Sequence, residues 1–73
     1  MRPSEYAGML TLARALYADA EKLSEPEKVL GPALALIPTG VRGVVCRHLA
    51  ASFAAARRDR VATWVIDQKG GLI

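Results

Sequence analysis

This 73-residue chain has one cysteine, Cys46, and one histidine, His48. A disulfide framework within the chain is therefore excluded, and a lone thiol suits a reducing compartment. A protein metal site normally takes three or four ligands, so no metal is expected. Long hydrophobic runs are missing too. The longest uncharged stretch, "VLGPALALIPTGV", has 13 residues and two prolines, short of the roughly 18–20 that cross a bilayer. Near the amino terminus the apolar residues are interrupted by Glu5 and Arg14, unlike a signal peptide. The expectation is a soluble, cytoplasmic protein without a membrane partner.

Catalytic constellations are equally sparse. Cys46 and His48 stand two apart, which on a helix sets them about 200° from each other, so they do not form a nucleophile–base pair. Ser52 lies at i+4 from His48, but no acid follows at an interval that would orient the imidazole. "GVRG", residues 40–43, lacks the spacing and the Lys-Ser/Thr of a phosphate loop. No catalytic residue, cofactor or enzyme activity is expected.

What is present is apolar surface in a short chain. With glycine counted in place of tyrosine, the apolar share is about 58%, above the usual 45–50%. One domain covering 1–73 is expected. A chain this size buries only about 60–65% of its unfolded surface, and small scaffolds without disulfides or metal commonly oligomerise. The excess apolar surface points to contact with another protein chain, and to a homodimer in particular.

The periodicity reads as helices. "PSEYAGMLTLARALYADAEKL" places Tyr6, Leu10, Ala13, Tyr17 and Ala20 on one face, with Met9, Leu12, Leu16 and Leu23 beside it. Ser4 is the expected N-cap. This wide stripe, from Tyr6 to Leu23, is the expected dimer surface. "SEPEKVLGPALALIP" opens on a capping box, Ser24 with Glu27, and Gly31-Pro32 predicts either a kink or a turn followed by "PALALI". Pro38 ends this segment. "TGVRGVVCRHLAASFAAARRDR" follows, with Thr39 as N-cap and Val41, Val45, Leu49, Ser52 and Ala56 along one face. The apolar positions switch sides at Val61, Trp64 and Val65, which predicts a bend near Arg58–Arg60 or a new element. "VATWVI" is rich in β-branched residues and is a candidate short strand. "DQKGGLI" carries turn and C-cap signals, and its last residues are expected to fray. The fold class is all-α, a small helical hairpin or three-helix arrangement with that short extended segment as an option.

Charge is uneven. Residues 1–37 carry four basic and five acidic groups, and residues 38–73 six basic and two acidic. Such a basic half suits either nucleic acid or an acidic protein partner. Arg57, Arg58 and Arg60 spread around a helix, at about 160°, 260° and 100° from Val41. They therefore suit helix termination and bidentate carboxylate contacts more than a phosphate track. Binding hot spots favour Trp, Tyr and Arg. The partner-binding set is therefore Tyr6, Tyr17, Arg57, Arg58, Arg60 and Trp64. A small protein-binding module that modulates or inhibits its target by occupying a surface is the expected function. Size and composition associate such proteins with phages and mobile elements. The alternative is a helix-turn-helix-like DNA-binding regulator reading through Arg42 and Arg47, although these point about 140° apart on the helix. A structural assembly subunit is the further alternative.

Overall fold

A computed structural model describes residues 2–70. Its elements are four helices: α1 (Pro3–Glu21), α2 (Glu27–Ala35), α3 (Thr39–Ala55) and α4 (Asp59–Gly70). The all-α class is correct, but there is one helix more than a three-helix arrangement. α3 is the central element, with α1 and α4 packed on it and α2 on α1.

"VATWVI" is not a strand; residues 61–66 lie inside α4. Val61, Ala62 and Val65 fall at i, i+1 and i+4, and all three are buried. Among the described residues no strand exists with which it might pair. A lone strand would leave its backbone N–H and C=O groups without partners, so the helix wins over β-propensity. The C-cap and fraying signals of the last residues lie outside the described residues from position 71 onward.

Local capping also departs from expectation. α1 starts with Pro3 in its first turn and Arg2 as N-cap, so Ser4 is already helical. The capping box does not form. Pro26 occupies the α2 N-cap position, and no side chain bonds the helix start. α2 stays helical through Gly31 and Pro32. Pro32 lies inside the helix, where its missing N–H forfeits one backbone hydrogen bond, the one to the Lys28 carbonyl, and the residue is exposed. At α3, Pro38 is the N-cap and Thr39 the first helical residue.

The core is one cluster built from all four helices. Its largest fully buried side chain is Phe53, with Leu30, Leu34, Leu49, Val45 and Val65 also closed off from water. On α3 the buried face is Val45, Cys46, Leu49, Ala50 and Phe53. The expected face through Ser52 and Ala56 is thus rotated by one position toward Phe53. A bend-plus-new-element between α3 and α4 is what the structure contains. α3 closes in a Schellman motif. The Arg57 N–H donates to Ala54 O (3.0 Å) and the Arg58 N–H to Phe53 O (2.8 Å). Arg57 sits at the left-handed position with φ 63°, where glycine is the usual occupant. The next carbonyl, Arg58 O, accepts from the Ala62 N–H at 3.0 Å and starts α4.

Candidate functional site

Two of the arginines expected at an interface are bound inside the molecule. α1 has no basic residue in its last turn, and Arg58 supplies the cation from elsewhere in the chain. Its Nη1 donates to Glu21 O at 2.6 Å and its Nη2 to Leu23 O at 2.8 Å. The same guanidinium lies 5.7 Å from the centre of the Phe53 ring, within cation–π range. Phe53 in turn meets Tyr17 edge-to-face at 4.9 Å. The Tyr17 hydroxyl donates to Glu21 Oε1 at 3.3 Å. Partial burial and then the Glu21 charge push the Tyr17 hydroxyl above its ordinary pKa of 10.0, with Arg58 opposing. Tyr17 and Arg58 thus belong to a junction that ties α1, α3 and α4 together.

Arg42 does the same for α2, whose last turn also lacks a basic residue. Its Nη2 donates to Ile37 O at 2.6 Å, with Ala35 O at 3.5 Å. The Arg42 Nε is buried and has no hydrogen-bond partner among the described residues. The guanidinium is thus folded back on the end of α2. Arg47, the other expected base reader, is exposed beside α4, so the structure does not bring the two together.

The remaining residues of the expected partner-binding set are scattered. The Tyr6 hydroxyl shares a hydrogen bond of 3.2 Å with His48 Nε2, and the rings meet edge-on at 5.9 Å. His48 therefore faces Tyr6 of α1. Arg57 and Arg60 are exposed, and Arg60 reaches Glu27 only at 3.9 Å. Trp64 is half-buried and packed against the core. The α1 stripe divides: Met9, Ala13 and Ala20 are buried, with Leu16 and Tyr17 packed on the core, whereas Tyr6, Leu12 and Leu23 remain exposed.

Two surfaces were not singled out from the residues alone. The first is the outer face of α2. Val29, Pro32, Ala33 and Leu36 follow i, i+3, i+4, i+7 spacing. Leu36 is 86% exposed and Val29 39%. The inner face of the same segment is also apolar, with Leu30, Leu34 and Ile37 buried. That near-continuous apolarity, without a charge from Val29 to Val41, was the available signal, because a short helix apolar all round needs cover on both sides. The second is a shallow groove of about 560 Å³ between α3 and α4, floored by alanines and flanked by Arg47, Asp59 and Ile66.

Among the described residues no three His, Cys, Asp or Glu side chains gather as a metal site. No helix there is long and apolar enough to cross a membrane. The chain matches no protein-family model, no curated protein and no solved structure.

Proposed function

We propose that this chain is a small helical module that binds another protein and modulates it by occupying a surface. The exposed apolar face of α2, with Leu36 at its end, carries the reading. A large aliphatic group held in water at the edge of a rigid helix is what a helix-in-groove contact uses. Val29, Pro32, Ala33 and Leu36 offer no polar side chain, so the matching partner surface is a groove lined with aliphatic groups. Arg57 and Arg60 are exposed, with Arg60 3.9 Å from Glu27 at the start of α2, and they tune association rate through long-range charge rather than anchoring the contact. Trp64, packed on the core, supports the module's shape more than its contact.

A photo-crosslinking residue placed at position 36, and at the exposed Ala18 as control, tests this in the native host. The expected result is a protein adduct from position 36 alone, lost when Val29→Asp is added while helicity is retained. Adducts only to nucleic acid, or none from position 36, would overturn the reading and favour the DNA-binding alternative or an assembly role.

A further inference from the structure

We infer that the groove between α3 and α4 is where a second copy of this chain docks, about a two-fold axis, through reciprocal Arg47–Asp59 ion pairs. This surface is separate from the outer face of α2, so the two assignments stand or fall independently. The groove floor is built from Ala50 and Ala62, which are buried, and Ala51 and Ala54, which are exposed. Helix axes approach to 8–10 Å depending on the side chains between them, and alanines set the close end of that range. Ile66, 40% exposed, stands at the same groove as its one large aliphatic group. The surface thus contains both a small-residue floor and a knob to fill one.

Charge selects the occupant. α4 folds back along α3 after the turn at residues 56–58, which puts Asp59 at the turn end of the groove. Arg47 lies seven residues before Ala54, or roughly 10 Å along α3 toward the other end. Among the described residues neither side chain has an ion-pair partner. In an isologous contact residue i of one copy meets residue j of the other, and j meets i. A groove that is positive at one end and negative at the other is complementary to its own copy turned end for end. A uniformly acidic or basic partner would meet a like charge at one end. The groove is lined by eight residues, well short of the roughly 20–30 a side of a standard interface, so the contact belongs with the small, weak ones.

Sedimentation equilibrium of the full chain across the micromolar range reads the association, with circular dichroism on every variant. Arg47→Glu and Asp59→Arg should each weaken it by at least about tenfold, and the double variant should restore most of the loss. Asp59→Arg also places a cation in the first turn of α4, where the macrodipole disfavours it. Ala51→Trp provides an independent block, since Ala51 is exposed and the change fills the groove without touching the core. A wild-type chain that stays monomeric overturns the inference. So does a dimer that ignores both charge reversals and Ala51→Trp but is lost with Leu36→Asp, an outcome that moves self-association to α2. A groove dimer without any adduct from position 36 supports this inference while removing the proposed function. A monomer with that adduct does the reverse.

Discussion

The junction of α1, α3 and α4 and the arm formed by α2 treat side chains in opposite ways. At the junction a cation turns inward: Arg58 bonds two α1 carbonyls and lies over Phe53. On the arm an aliphatic group turns outward, with Leu36 almost wholly in water. A charged residue is useful inside only where unsatisfied carbonyls await a donor, as at a helix C-terminus. An apolar residue outside has no such local use, and the proposed partner contact would give it one. The difference teaches that, in this chain, residue type alone does not tell which side chains turn inward and which stay in water. Arg42 and Arg58 hold helix ends, while Leu36 and Val29 are left in water.

The comparison is broken most severely at Phe53. Phe53→Ala should cost about 3–5 kcal/mol. Against a total of roughly 4–11 kcal/mol for a domain of this length, a thermal melt should show an unfolded or barely folded chain. Arg58→Ala comes next. It removes two charge-assisted hydrogen bonds and a ring contact, and the half-exposed site discounts the loss to about 1–3 kcal/mol. Urea unfolding should place Arg58→Lys between wild type and alanine, because lysine keeps the charge but not the fork. Arg60→Ala should stay within about 0.5 kcal/mol; an equal loss at both arginines would erase the distinction between the junction and its exposed neighbour.

Arg57→Gly should act in the other direction. Relieving a left-handed arginine is worth up to about 1 kcal/mol, seen as a raised urea midpoint. An alkaline titration sharpens the junction further. The folded state holds the Tyr17 proton more tightly than the unfolded chain does. Stability from this site is therefore complete below about pH 10 and is lost as pH rises through the raised value. Tyr17→Phe should unfold with less alkaline sensitivity than wild type; identical pH profiles would remove Glu21 and burial as the cause. On the arm, Leu36→Ser should move stability by less than about 0.5 kcal/mol. A larger loss by the same urea measurement would mean that Leu36 holds the fold after all.

Much of the architecture was legible without coordinates. The α1 periodicity and the break near Arg58–Arg60 follow from the spacing of apolar residues. The candidate site was far less legible. Tyr17 and Arg58 were expected to face a partner because hot spots favour those residues, yet they sit against Phe53, a residue that the expected α3 face passed over. Val29 and Leu36 read as one more stretch of core because half of their helix is core.

Helix content, the lone thiol's exclusion of disulfides, and the position of the α3–α4 break were decided by the order of residues, since propensity and period act over a few neighbours. Whether 61–66 became helix or strand was decided by packing, because a strand needs a second strand and this segment found α3 instead. The same is true of Arg42 and Arg58. Their carbonyl partners lie 5 and 7 residues away for Arg42, and 35 and 37 for Arg58. Only a folded chain brings the more distant carbonyls within reach of a guanidinium.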